Sequence, residues 1–298
     1  MAEKIKITFL GTSDAIPSAA RNHLSILVKF GAENILVDCG EGTKRQIRKA
    51  GLNPCKITRI LITHWHTDHI LGIPGLLKTL AVSGYNKTLF IHGPKGTKRL
   101  MDLLLGLFAF KDEYPIKIEE VAGKFLEKKD FYLASEEMEH GIYCNAYSFV
   151  EKGQIRIDKK KLKKIKISSV PLLKKLKDGE NIIYKGKKYS AKSLTYSENE
   201  KKISFVFDTK INSRIIPFVK NSDILICEAS SVDEEGAERY KHMMAEQAAE
   251  IAKKAKVKRL ILSHISQRVE RNLKGNLTKA KKIFSNISIS KDFDVFEI

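Results

Sequence analysis

A chain of 298 residues suits one large domain, or a domain with an insertion, and can bury a substantial core. Its 54 Lys and Arg against 35 Asp and Glu give a formal charge of +19 and a pI near 9.6, a balance that favours polyanionic partners such as nucleic acid. No run of 18 apolar residues occurs, which argues against a membrane-spanning helix, and Met1-Ala2-Glu3-Lys4-Ile5-Lys6 runs into a strand pattern without the apolar stretch of a leader.

Residues 5–10 alternate and read as a strand that ends in the turn Gly11-Thr12-Ser13. A polar loop follows through Pro17 to Asn22, then strands at 25–30 and 34–38 joined at Gly31, then a short helix ending at Gly51. Residues 57–63 lead into His64-Trp65-His66-Thr67-Asp68-His69. Residues 74–83 read as a helix with Pro74 near its start and Gly84 behind it, 88–91 as a strand, and 97–110 as a long apolar helix. Antiparallel strands are expected at 116–121, 131–134 and 142–149, with His140-Gly141 between the last two.

Residues 151–202 break the pattern, with 17 Lys and Arg against 6 Asp and Glu, a net +11 that leaves +8 for the other 246 residues. Too poor in apolar residues for a core of its own, this segment is expected to project as an arm. Core patterning resumes in three apolar strands, each ending on a side chain able to do chemistry: 203–207 at Asp208, 224–227 at Glu228 and 260–263 at His264. A single helix over 238–256 is expected between the last two, and a basic helix at 278–284 and a strand at 293–298 close the chain. Four widely spaced cysteines, Cys39, Cys55, Cys144 and Cys227, form no C-x-x-C pair and read as free thiols of a reducing, cytoplasmic compartment.

The chemistry concentrates at 64–69, where three of the eight histidines and an aspartate follow an apolar strand. Imidazole nitrogen and carboxylate oxygen are ligands that Zn²⁺ and similar cations prefer. On a helix, residues two apart face different ways, so His64 and His66 share a cation only from extended chain. Asp68 and His69 then fold back to a second position, and two neighbouring cations are expected. Strands 60–63, 203–207, 224–227 and 260–263 are apolar throughout, as strands covered on both faces are, and ligands gather beyond the carboxyl ends of such strands. The motif, Asp208, Glu228 and His264 therefore belong at one rim, with His140 joining from its loop.

His-x-His-x-Asp-His after a hydrophobic strand resembles the signature of the metallo-β-lactamase superfamily of di-metal hydrolases. Within it, nearly the whole chain resembles the tRNase Z family, endonucleases that remove the 3′ trailer from tRNA precursors. The likeness is carried by Phe9-Leu10-Gly11-Thr12 with Pro17 and Arg21-Asn22, by Val37 to Thr43 with Gln46, by Glu228-Ala229 with His242 and Ala245-Glu246-Gln247-Ala248-Ala249, and by Leu262 to Arg268. It departs from the family's usual residues at Phe207, Cys227, Ser230-Ser231, Met243 and Val170.

The resemblance implies an α/β fold, the αββα sandwich, in a single domain over 1–298 with a flexible basic arm inserted at 152–200 that grips precursor tRNA, Lys174, Lys175 and Lys177 among its contacts. It implies two Zn²⁺ per chain, or Mn²⁺ or other divalent cations: His64, His66 and His140 around one, Asp68, His69 and His264 around the other, and Asp208 bridging. It implies hydroxide attack on phosphorus with Asp68 orienting the water, His242 as general acid and Glu228 orienting His242, in a homodimer with no membrane attachment. Two other readings compete. A hydrolase of small phosphodiesters with this fold shares every ligand but has no need of the +11 segment. A non-catalytic RNA-binding relative keeps the charge and loses ligands, and none is lost here.

Overall fold

The strand at the start of the chain, Lys6–Gly11, is second from one edge of the first of two large sheets. The structure, a computed structural model, describes residues 4–110, 113–167 and 169–298; Met1-Ala2-Glu3 of the expected run into the first strand, and Ser168 of the expected arm, lie outside the described residues. Lys6–Gly11 pairs antiparallel with Ser25–Phe30, and the register slips between Phe9 and Gly11. A Cβ on Gly11 would stand 1.8 Å from the His23 carbonyl oxygen, so only glycine admits this close backbone approach. Ser25–Phe30 returns antiparallel as Glu33–Val37, after which Arg59–Leu61, Leu89–Gly93 and Ile116–Glu120 add in parallel. Val295–Glu297 closes the other edge against Lys6–Gly11.

Ile116–Glu120 thus lies parallel in the first sheet, where an antiparallel strand was expected. The helix Thr97–Leu107 is the crossover that reverses the chain between it and Leu89–Gly93, and such a connection delivers a parallel neighbour. Gly123–Glu127, where no strand was expected, belongs to the second sheet.

The second sheet runs in the order Ile287–Ile289, Arg259–Ser263, Ile224–Glu228, Lys201–Val206, Cys144–Glu151, Phe131–Met138, Gly123–Glu127. Its first four strands are parallel. Their outer face packs Leu225, Leu260 and Leu262 against Ala248, Ala249, Ile251 and Ala252 of the helix Ala245–Lys254, whose small side chains let it lie close. The outer face of the first sheet packs Leu36, Ile60 and Ile91 against Ile47, Ile73, Leu76 and Leu80. Burying each such side chain stabilises by roughly 1.5–3 kcal/mol. The inner faces meet directly: the Tyr147 hydroxyl donates to the Ile62 carbonyl at 2.8 Å, and the Phe30 and Phe149 rings meet edge-on at 5.4 Å. Helices outside two facing sheets make the αββα sandwich. Among the described residues no helix is long and apolar enough to cross a membrane, and all four cysteines are free.

The helix expected over 238–256 is two helices, Glu234–Tyr240 and Ala245–Lys254. Lys241 stops the first with φ +56, and the Met244 amide, held by the Gln247 side chain at 2.9 Å, starts the second. His242 lies in the link between them, released from helical geometry.

Residues 127–132 and 150–201 form a second compact unit. The expectation that the basic segment lacks a core is corrected here, because Ile167, Leu176, Ile182, Ala191 and Leu194 are buried together. Each element contributes only one or two of these residues among lysines, so no periodic apolar run announces the cluster. The lysine run becomes the helix Lys159–Ile165, started by the Asp158 carboxylate accepting the Lys160 and Lys161 amides at 3.0 and 3.1 Å. Ile182–Tyr184 and Lys187–Tyr189 make a hairpin through Lys185-Gly186, both at positive φ as a tight two-residue turn demands.

Candidate metal centre

Four strand ends deliver the polar side chains of the sandwich rim, from both sheets and not from a single one. Asp38, Asp208 and His264 follow Glu33–Val37, Lys201–Val206 and Arg259–Ser263, and all three take left-handed φ, +56, +44 and +54. Each such conformation costs of order 1–3 kcal/mol in a residue with a Cβ, and such strain collects at functional sites. Arg59–Leu61 leads to Thr63 and His64. The chain is extended through His66, which stands at the N-cap of the single-turn helix Thr67–Ile70 carrying Asp68 and His69. Gly40 makes room for that turn, since a Cβ there would stand 2.2 Å from the Asp68 carbonyl oxygen.

His64, His66, His140 and Asp208 form one convergent group and Asp68, His69, Asp208 and His264 a second, with Asp208 in both. In the first, His66 Nδ1 lies 2.9 Å from His64 Nε2 and 3.2 Å from His140 Nε2, and Asp208 Oδ2 lies 3.5 Å from His64 Nε2 and 4.0 Å from His140 Nε2. In the second, Asp208 Oδ1 lies 3.5 Å from His69 Nε2 and 3.3 Å from His264 Nε2, while Asp68 Oδ2 lies 3.2 and 3.4 Å from the same atoms. The second group is wholly buried; in the first, His66 is exposed.

Residues behind the groups fix the ring orientations. Asp38 Oδ2 lies 2.8 Å from His69 Nδ1 and accepts the Thr63 hydroxyl at 2.8 Å, while Oδ1 accepts the Thr63 amide at 2.8 Å. With Nδ1–H donated to Asp38, His69 turns the lone pair of Nε2 inward. Thr63 Oγ1 stands 3.1 Å from His64 Nδ1 and does the same for that ring. Neither Asp38 nor Thr63 is among the site residues read from sequence, although Asp38 ends an apolar strand as Asp208 and His264 do.

Both groups fit divalent cations. Asp208 Oδ1 is buried and accepts no hydrogen bond, although two imidazole nitrogens stand within 3.5 Å. A buried carboxylate oxygen left in that state is costly unless a positive charge meets it. Burial pushes His64, His66 and His140 down, which keeps them neutral with lone pairs free. Burial would also lower His69 and His264, yet the charges of Asp208 and its neighbours raise both, a demand for positive charge that a cation meets equally. Against burial, which raises a carboxyl, the surrounding histidines hold Asp68 and Asp208 below the usual carboxylate range.

On one flank stands a separate pair. Glu228 is fully buried and saturated: Oε1 accepts the Thr209 amide at 2.7 Å, and Oε2 the Ser230 hydroxyl at 2.7 Å and His242 Nδ1 at 2.9 Å. Burial opposes a charge on His242, but the Glu228 carboxylate outweighs it and pushes the imidazole up to about 10. The His242 ring centroid lies 5.5 Å from that of His140 and 5.9 Å from that of His264. Lys241 Nζ donates to the His140 carbonyl at 3.2 Å, joining the His242 link to the His140 loop. The remaining sequence candidates, Lys174, Lys175 and Lys177, belong to the second unit, exposed on the helix Val170–Lys177.

The family described as Anti-Pycsar protein Apyc1 matches residues 5–115. A ribonuclease Z of Listeria welshimeri is 37% identical over 304 residues, covering 99% of this chain and 99% of its own. Among solved structures, the metallo-β-lactamase fold protein YhfI from Bacillus subtilis superposes with TM-score 0.72 at 22% identity, covering 99% of this chain and 100% of its own. Human tRNase Z, short form, superposes with TM-score 0.70 at 24% identity, covering 98% of each chain.

Proposed function

The chain belongs to the ribonuclease Z family, and on that premise we propose that it removes the 3′ trailer from tRNA precursors and leaves a 3′-hydroxyl on the tRNA. It is a metal-dependent endoribonuclease of the metallo-β-lactamase fold. The observation that carries the reading is Asp208 shared by two nitrogen-rich groups, with His242 and Glu228 paired on their flank.

The donor set favours two Zn²⁺ per chain, with Mn²⁺ or other divalent cations as alternatives. His64, His66 and His140 would hold one, Asp68, His69 and His264 the other, and Asp208 both. Bound there, the cations would supply Lewis acidity toward the phosphate and would make water a stronger nucleophile at neutral pH. Asp68, buried beside His69 and His264, orients the attacking water. The new bond joins that water's oxygen to phosphorus, and the bond from phosphorus to the ribose 3′ oxygen breaks. His242 delivers a proton to the departing oxygen from Nε2, because Glu228 holds Nδ1.

Lys174, Lys175 and Lys177 neutralise tRNA phosphates in this reading, each contact releasing counterions. The active assembly is a homodimer, supported by the exposed Leu103, Leu107 and Phe108 around the helix Thr97–Leu107. Four free thiols support a cytoplasmic setting.

The test is incubation of purified protein with a tRNA precursor bearing a 3′ trailer, with and without chelator, followed by end analysis of both products. A tRNA ending in a 3′-hydroxyl and a trailer beginning with a 5′-phosphate, both lost with chelator, are expected. An uncut precursor at full metal loading would overturn the proposal.

A further inference from the structure

Beside His242 opens a hollow of about 640 Å³ whose wall also includes Ile16, Ser230, Tyr240, Arg268 and Arg271. That volume falls within the range of sites for single small ligands and suits one nucleoside. Tyr240 is 53% exposed at the end of Glu234–Tyr240, two residues before His242. The Arg239 guanidinium lies 5.4 Å from its ring centroid. Arg268 and Arg271 are exposed. The hollow thus combines an aromatic surface, two exposed guanidinium groups and the proton donor of the proposed reaction, with the Asp14 and Asp233 carboxylates also in its wall.

Resting on the function proposed above, we infer that this hollow takes the nucleoside whose 3′ oxygen departs, with its base against Tyr240 and the strand's preceding phosphates at Arg268 and Arg271. The side is dictated by the bond that breaks. Cleavage between phosphorus and the 3′ oxygen leaves the phosphate with the trailer and the oxygen with the tRNA. A proton donor acting on that oxygen must lie on the tRNA side of phosphorus. Nitrogen and oxygen atoms of Glu228, His242 and His264 lie within 4.8 Å of one another, so His242 stands at the edge of the second cation group and the hollow continues outward from it. The last tRNA nucleoside, its 3′ oxygen at His242, therefore falls into the hollow, and the trailer leaves in another direction. Stacking on an aromatic ring tolerates any base, as a position that varies among tRNAs requires, and guanidinium groups suit phosphate.

Three precursors separate this arrangement from its alternatives: one intact, one abasic at the last tRNA nucleotide, and one abasic at the first trailer nucleotide. Each is cut by the wild type, Tyr240→Ala and Tyr240→Phe under metal-replete conditions. Tyr240→Ala is expected to lower kcat/KM about tenfold (~1.4 kcal/mol) on the intact and trailer-abasic precursors. On the precursor abasic at the last tRNA nucleotide, Tyr240→Ala and wild type should be equal, and Tyr240→Phe should match wild type on all three. An equal loss on all three precursors would overturn the inference by making Tyr240 structural. Loss of coupling on the trailer-abasic precursor instead would overturn it by placing the trailer in the hollow. A wild type that cuts none of the three would overturn the underlying function, and this inference with it.

Discussion

Asp38 and His69 are joined by a hydrogen bond of 2.8 Å between Oδ2 and Nδ1, with both side chains wholly buried. Asp38 reaches this position only by taking φ +56 directly after Glu33–Val37, and it also holds the amide and hydroxyl of Thr63. One carboxylate therefore sets the tautomer of His69 and the course of the chain into His64. Partners of this kind typically contribute 10–100-fold to metal affinity. Asp38→Asn, which can leave His69 in the wrong tautomer, should weaken binding of the second cation about tenfold or more while the fold survives. Competition with a chelator on the variant and wild type reads this directly, and equal affinities would remove Asp38 from the site.

The rule that strand ends carry the chemistry picks out Asp208, Glu228 and His264, and it applies equally to Asp38. Composition hides Asp38 because aspartate before Cys39-Gly40 also reads as an ordinary turn. The apolar strands and the His64 to His69 cluster are legible because strand burial and ligand chemistry write short, local patterns. Three features are not legible, and each depends on contacts remote in sequence. Ile116–Glu120 lies parallel because a helix carries the chain across. The Glu234–Tyr240 helix stops because Lys241 takes a left-handed conformation. The second unit finds a core because isolated residues such as Leu176, Ile182 and Leu194 meet in space.

Asp208 serves both cation groups, so its removal should cost more than the loss of any single histidine. Asp208→Ala is expected to lose at least one of two bound ions and to abolish turnover. Elemental analysis under metal-replete conditions decides it: two ions in an active Asp208→Ala protein would sink the bridging role.

Salt dependence isolates the contribution of the basic unit. Changing Lys174, Lys175 and Lys177 together to Ala should weaken precursor tRNA binding at low salt and reduce the slope of log affinity against log salt by up to about three. All three side chains are exposed and none belongs to the buried cluster of that unit, so its core remains. Titrations at several salt concentrations with an unchanged slope would take these lysines out of the interface.

The Glu228 carboxylate opposes burial to raise His242 to about 10, so the acid form persists throughout the neutral range. A step that needs that proton is then sustained at neutral pH and fades as pH rises through the raised value. Glu228→Gln removes the main raising influence and leaves burial, which lowers, against the weaker raising charges of Asp208 and Asp14. The alkaline limb of the single-turnover rate on tRNA precursor should move to lower pH in this variant, with metal content unchanged. A limb at the same pH in both proteins would mean that another group controls it.

Leaving-group chemistry offers the sharpest test of His242. A ribose 3′ oxygen departs as a poor leaving group, and a positioned general acid typically contributes ~10²–10⁴-fold to such a step. An aryl phosphodiester releases a phenolate, whose conjugate acid has a pKa of about 10 or below on the scale of tyrosine, and needs far less help. His242 belongs to neither group that converges on Asp208, and its Nδ1 is already committed to Glu228. His242→Ala should therefore depress tRNA cleavage by two or more orders of magnitude and aryl phosphodiester hydrolysis much less, with both ions retained. Glu228→Gln should show the same selectivity more mildly, because the imidazole stays while its orientation and charge weaken. Equal losses on the two substrates would mean that His242 acts through binding or structure, and the proton for the departing oxygen would then have to come from elsewhere in the rim.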